Sequence, residues 1–181
     1  MVANNPDIDR VLISQEQIGD RVKGIAGQIT KDYNDVDNLY IVGILKGAFI
    51  FLADLARELQ LPHSVDFMAV SSYGRTATTS GEVRLVMDLR EPIIDKHVLI
   101  VEDIVDTGHT LNYLLKTLHG RQPASLKTCV LVRKERESLD VDVDYLGFKI
   151  PDVWVVGYGL DYADRYRTLP YIAELNKQVY S

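Results

Sequence analysis

Cysteine is almost absent: Cys129 stands alone in 181 residues, so no disulfide can form within the chain. Uncharged apolar runs of the ~18 residues that a membrane span requires are missing as well. The opening MVANNPDIDRVLIS carries neither a basic n-region nor an apolar h-region, so no secretory signal is expected. Positive charge is in deficit, with 20 Lys and Arg against 26 Asp and Glu and a formal net charge of −6. That balance argues against the basic face of a nucleic-acid-binding domain. There is no GxxxxGK[ST] and no GxGxxG, which excludes a Walker loop and leaves a dinucleotide fold unsupported. His63, His97, His109 and His119 are dispersed, and no HxxxH or CxxC argues for zinc. What is present is ordinary: 46% hydrophobic and 25% charged residues, enough chain to bury a core without disulfides. The expectation is one cytoplasmic domain spanning residues 1–181.

From Ser14 to about Tyr33, Ile18, Val22, Ile25 and Ile29 recur at helical spacing, with Ser14 as N-cap and Gln17 at the capping-box position. Leu39 to Leu45 reads as a buried strand, and Ala48 to Leu59 returns to helical spacing. His63 to Ser72 and Glu82 to Asp88 read as strands around the polar stretch SYGRTATTS. Val98 to Val101 is a further apolar strand, Thr110 to Leu118 a helix ending near Gly120, and Leu126 to Val132 a strand. Shorter strands are expected around Val143 and over Trp154 to Val156; Cys129 falls inside a strand, where it packs. Alternating strands and helices with wholly apolar strands predict an α/β domain with a mostly parallel sheet. The pair around residues 63–88 predicts an antiparallel extension at one edge. In such sheets ligands bind beyond the carboxyl ends of the strands.

The strongest motif lies at such an end, Val98 to Thr110, VLIVEDIVDTGHT. A buried strand delivers Glu102 and Asp103, then Asp106, and a turn of small polar residues enters a helix. Thr107, Gly108, His109 and Thr110 supply hydroxyls, a glycine and helix N-terminal N–H groups, which suit a phosphate. The adjacent carboxylates suit diol hydroxyls or a hard cation such as Mg²⁺. Phosphate and diol on one loop point to a ribose phosphate, although paired acids after a strand are also compatible with a merely solvated strand end.

This stretch resembles the 13-residue phosphoribosyl pyrophosphate motif of the type I phosphoribosyltransferases, and VEDIVDTG resembles the hypoxanthine–guanine branch. The resemblance extends from about Leu39 to Tyr171. Leu45-Lys46-Gly47 is similar to the branch's pyrophosphate loop, where the resemblance implies a cis peptide bond between Leu45 and Lys46. Read alone, Lys46 is equally a surface lysine at a βα turn. Ser72 and Tyr73 resemble the Ser-Tyr pair of a mobile loop that folds over the site and excludes water. By resemblance Lys134 reads the purine's exocyclic oxygen, with Arg133 the alternative because the two directions of counting differ by one residue. Trp154 stands where the family stacks the base, and the backbone of Val155 where it contacts the base edge. Gly159-Leu160-Asp161-Tyr162 and Arg167 resemble the family's last motif, which implies that Asp161 helps hold a second Mg²⁺ and Arg167 reaches pyrophosphate.

The resemblance implies the type I phosphoribosyltransferase fold: a mostly parallel twisted sheet flanked by helices, a small antiparallel extension and a C-terminal hood. It implies transfer of a 5-phosphoribosyl group from phosphoribosyl pyrophosphate to N9 of hypoxanthine or guanine, with Mg²⁺ as cofactor and Asp106 as acid/base at N7. Glu102, Asp103 and Asp161 are the implied metal ligands. The partners implied are phosphoribosyl pyrophosphate and a 6-oxopurine, with no nucleic acid and no membrane, in a homodimer or homotetramer. A regulator that keeps the pocket but binds nucleic acid is the rival. The net charge of −6 and the intact Asp106, Ser72-Tyr73 and Lys134–Trp154 set weigh against it. A transferase for xanthine remains open, because discrimination at C2 rests on backbone carbonyls.

Overall fold

The computed structural model describes residues 5–72, 83–136 and 141–180. Six strands form the main sheet: β2 (Leu39–Leu45), β3 (His63–Ser72), β4 (Val83–Met87), β5 (His97–Val105), β6 (Ser125–Lys134) and β7 (Tyr145–Ile150). Their order is β4-β3-β2-β5-β6-β7, parallel throughout except for β4, which pairs antiparallel with β3 at the edge. Helices α1 (Gln15–Asp32) and α2 (Phe49–Glu58) cover one face and α3 (His109–His119) the other. Strand alternation sorts the core between them. Ile41, Leu99 and Val101 join α1 and α2, whereas Val42, Ile44, Val98 and Ile100 join Leu111, Leu114 and Leu118 of α3. Both faces are therefore buried, which is why β2 and β5 read as continuous apolar runs.

A second, antiparallel sheet has the order β1-β9-β8, with β1 (Ile8–Ile13), β8 (Val155–Val156) and β9 (Ile172–Leu175). It is the hood implied by the resemblance, and it joins both ends of the described chain. Neither β1 nor β9 stands out as a strand in the sequence, since each is held chiefly by its partner from the far end.

Most predicted elements agree with the structure within a residue or two, including the reciprocal capping box of Ser14 and Gln17. Two differ. The strand expected to stop at Val101 continues to Val105, because β6 pairs alongside it as far as Val105↔Arg133. Glu102 and Asp103 therefore sit within β5 rather than after it. The strand expected around Val143 begins instead at Tyr145. Val141 to Asp144 alternates like a strand, but the Asp144 carboxylate accepts hydrogen bonds from the Thr128 N–H (2.8 Å) and hydroxyl (3.1 Å). This side-chain clasp aligns the segment ahead of the first ladder pair, Cys129↔Tyr145. Cys129 itself is fully buried, and burial pushes its thiol up, which suits packing. Among the described residues no helix is long and apolar enough to cross a membrane.

The two kinds of contact predict different costs. Ser14→Ala removes one cap and should lower unfolding free energy by ~1 kcal/mol. Phe51→Ala, at a fully buried position of α2, should cost ~3–5 kcal/mol. Urea denaturation of both variants checks the ranking, and equal losses would contradict it.

Candidate active site

β2 and β5 are neighbours at the centre of the sheet, and the turns that leave them meet beyond its carboxyl edge. The turn after β2 carries Lys46 and Gly47, and the Leu45–Lys46 peptide bond is cis, as the resemblance implies. Gly47 admits no side chain: a Cβ there would lie 1.7 Å from Oδ2 of Asp103. The missing Cβ brings the β2 turn directly against the β5 carboxylate. Gly159, at φ +104°, does the same from the hood side, where a Cβ would lie 1.9 Å from the Gly47 carbonyl oxygen. Three segments far apart in sequence thus meet at one point.

A cavity of about 390 Å³ opens there, lined by Lys46, Gly47, Glu102, Asp103, Asp106, Thr107, Gly108, Thr110, Asp161 and Arg167. Gly108, at φ +79°, starts α3, and no side chain caps that helix. A second cavity of about 150 Å³ adjoins it, lined by Lys134, Trp154, Val155 and Leu160 together with Asp103, Ile104, Asp106 and Asp161. The four last-named residues line both, so the two spaces share a wall.

The electrostatics are unusual. Glu102 is buried, and its Oε2 has no hydrogen-bond partner. Burial, with the Asp103 charge beside it, pushes its carboxyl well above the usual carboxylate range. Burial also pushes Asp103 up to about 6, against the opposing pull of the N–H groups of Asp103 and Ile104 and the charge of Arg167. The cations around these acids are already engaged. Lys46 Nζ lies 3.1 Å from Asp164, and Arg167 pairs with Asp161 (2.8 Å) and Asp164 (2.9 Å) while donating to the Gly159 carbonyl (2.8 Å). Lys134 Nζ lies 3.4 Å from Asp106 and 3.2 Å from Asp152. Arg136 bridges the same two carboxylates at 2.8 and 2.7 Å.

Most residues singled out in the sequence therefore gather around the two cavities. His109 is the first residue of α3; its side chain is exposed and does not line the cavity, so what it presents there is its backbone at the helix start. Ser72 ends β3, its backbone paired with Val83; Tyr73 and the rest of its polar stretch to residue 82 lie outside the described residues. Lys134 lines the cavity with Asp106 and Trp154, whereas Arg133 lies in register with Lys149 and lines a separate cleft beside it. Trp154 is 50% exposed rather than a core residue. Sequence reasoning missed Arg136, Asp152 and Asp164. Arg136 was accessible in principle, because two residues beyond Lys134 on an extended chain shares its face. Asp164 was not, because 118 positions of sequence separate it from Lys46.

Residues 13–163 match the family described as phosphoribosyl transferase domain. The hypoxanthine-guanine phosphoribosyltransferase of Dictyostelium discoideum is 49% identical over 174 residues, 94% of this chain and 97% of that protein. That of Bacillus subtilis is 45% identical over 175 residues, 96% of this chain and 97% of its own. Among solved structures, the Trypanosoma cruzi hypoxanthine phosphoribosyl transferase superposes with a TM-score of 0.91 at 44% identity, covering 98% of this chain and 96% of the other. The motifs, the joined cavities and these likenesses along nearly the whole length agree: the chain belongs to the hypoxanthine-guanine phosphoribosyltransferase family.

Proposed function

We propose that this chain serves purine salvage by transferring the 5-phosphoribosyl group of phosphoribosyl pyrophosphate to N9 of hypoxanthine or guanine, giving IMP or GMP and pyrophosphate. The observation that carries the reading is the pair of joined cavities. One presents acids, a turn of small residues and an uncapped helix start; the other presents an indole and a buried lysine; and Asp103, Asp106 and Asp161 line both. A sugar phosphate and a flat base bound side by side would place ribose C1 at the shared wall.

Thr107, Gly108 and Thr110, with the first N–H groups of α3, hold the 5′-phosphate. Glu102 and Asp103 accept hydrogen bonds from the ribose hydroxyls. Lys46, the Gly47 backbone and Arg167 take the pyrophosphate, exchanging it for the Asp164 carboxylate that now bridges both cations. Trp154 stacks the purine, worth ~1–3 kcal/mol by analogy with other base–aromatic contacts. The Val155 backbone meets the base edge, and Lys134 donates to the exocyclic oxygen. The bond from C1 to the pyrophosphate oxygen breaks with its electron pair leaving on pyrophosphate, and the N9 lone pair forms the new bond to C1. The base loses one proton in the exchange, and Asp106 accepts it at N7.

The donor set fits Mg²⁺. Glu102 and Asp103 offer hard carboxylate oxygens, Glu102 Oε2 is buried without a partner, and Asp161 lines the same cavity. Among the described residues no three His, Cys, Asp or Glu side chains gather as a closed metal cage. Substrate oxygens and waters would complete the coordination, as Mg²⁺ commonly requires. When bound, the ion supplies charge neutralisation of the departing pyrophosphate.

A turnover assay with phosphoribosyl pyrophosphate, Mg²⁺ and hypoxanthine, guanine or xanthine in turn tests the reading; no product from any base would overturn it. Within that assay, Asp106→Asn should leave nucleotide binding nearly intact while lowering turnover by ~10²–10⁴. Unchanged turnover would remove Asp106 from the proton transfer.

The raised carboxylates add a pH dependence. A carboxyl raised to about 6 in the fold contributes stability that is full below its unfolded value and is lost as pH rises through about 6. Mg²⁺ binding runs the other way, because the ion competes with the proton. Thermal melts should therefore show a larger upward shift with Mg²⁺ at pH 7.5 than at pH 5, and Asp103→Asn should remove most of the difference. Equal shifts at both pH values would take Asp103 out of the metal site.

A further inference from the structure

We infer that Tyr180, with Tyr162, braces the Trp154 indole, so that the turn spanning residues 176–180 tunes how tightly the purine is held. The inference rests on Trp154 as the stacking platform and deepens that reading with two tyrosines to which the sequence motifs assign no role.

Three aromatic rings meet here. The Tyr180 ring centre lies 5.6 Å from that of Trp154 at a tilt of 41°, and the Tyr162 ring meets the indole edge-on at 5.7 Å and 83°. The two tyrosines are 6.4 Å apart. Each distance falls in the range of favourable aromatic pairs. Neither tyrosine lines the cavity that holds Trp154, Lys134 and Asp106. On the cavity side the Lys134 ammonium stands 6.0 Å from the indole centre. The tyrosines therefore support the indole from outside the space where the base would lie.

The support is anchored through the backbone. The Leu175 N–H donates to the Trp154 carbonyl at 2.9 Å, and the Asn176 N–H donates to the Asp7 carbonyl at 2.8 Å. Asn176 then opens a 3₁₀ turn, Lys177–Val179, its side-chain oxygen accepting from the Gln178 N–H at 3.0 Å. The turn returns Tyr180 to the residue that β9 has just bonded. With half of its surface exposed, the indole lacks the enclosing core that would otherwise hold its rotamer. A stacking platform free to rotate must be ordered each time a base binds, which weakens binding; a braced platform avoids that loss.

Trp154 is the only tryptophan in the chain, so its fluorescence reports the platform directly. In Tyr180→Ala the steady-state anisotropy of Trp154 should fall and the KM for hypoxanthine should rise roughly 2- to 10-fold. KM for phosphoribosyl pyrophosphate and kcat should stay within about twofold. Tyr180→Phe, which keeps the ring, should match the parent, and Tyr180→Leu should give a smaller version of the same split, serving where the alanine variant does not fold. Unchanged anisotropy and purine KM, a lowered purine KM, or equal rises in both KM values would overturn the brace. A parent that turns over no purine would instead overturn the transferase reading, which keeps the two failures distinct.

Discussion

The site depends on a point of closest approach where no side chain fits. Asp103, still within β5, sets its carboxylate against the backbone of Gly47, and Gly159 closes on the Gly47 carbonyl from the other side. A Cβ at either glycine would push the turn after β2 away from β5 or lift the 157–167 segment off both. Everything functional is arranged around that contact. Lys46 stands on one side of it, Asp161 and Arg167 follow on the hood segment, and the acidic strand end leads from it into the α3 turn. The sheet supplies the rigid base, since β2 and β5 pair along Leu39–Gly43 just beneath that contact.

The cations of the site are paired within it. Asp164 occupies the two cations proposed to take pyrophosphate, and Asp106 with Asp152 occupies the two on the purine side, Lys134 and Arg136. The exposed pairs among these hold little energy in water and exchange readily. The Lys46–Asp164 pair is the exposed one, so an arriving anion meets Lys46 held in place but not buried. Glu102 and Asp103 are the opposite case: burial raises both carboxyls, and Glu102 Oε2 has no hydrogen-bond partner, which suits the ribose hydroxyls and hard cation proposed for them. This local arrangement, rather than the net charge of −6, governs what binds.

In the proposed reading, hypoxanthine and guanine share the face that Trp154 would stack and the oxygen that Lys134 would meet, so the platform and the lysine would select 6-oxopurines as a class. Lys134 is well placed for that choice because it is the last residue of β6, buried on the side of the strand that Asp106 and Trp154 share. The cavity proposed for the purine thus takes one wall from the parallel sheet and another from the hood, which is why both sheets are needed to build it.

How much of this was legible in the chain follows from the range of each interaction. The helix of Ile18, Val22, Ile25 and Ile29, its Ser14–Gln17 cap, the apolar strands and the run from Glu102 to Thr110 are local patterns, because the period and the turn chemistry lie in neighbouring residues. Those patterns determined an α/β domain with an acidic, phosphate-suited loop at a strand end. The hood strands β1 and β9 were not legible, since Ile8 pairs with Leu175 across almost the entire sequence. The choice of Lys134 over Arg133 as the cavity residue was decided by strand facing, which a count along the chain leaves one residue uncertain. Asp164, Asp152 and Tyr180 took their places only when the 3₁₀ turn, the hood and β7 were packed together. Short-range periodicity and capping are written residue by residue, whereas the partner of a charge or a ring is set by which distant backbones the sheet and the hood bring within a few ångströms.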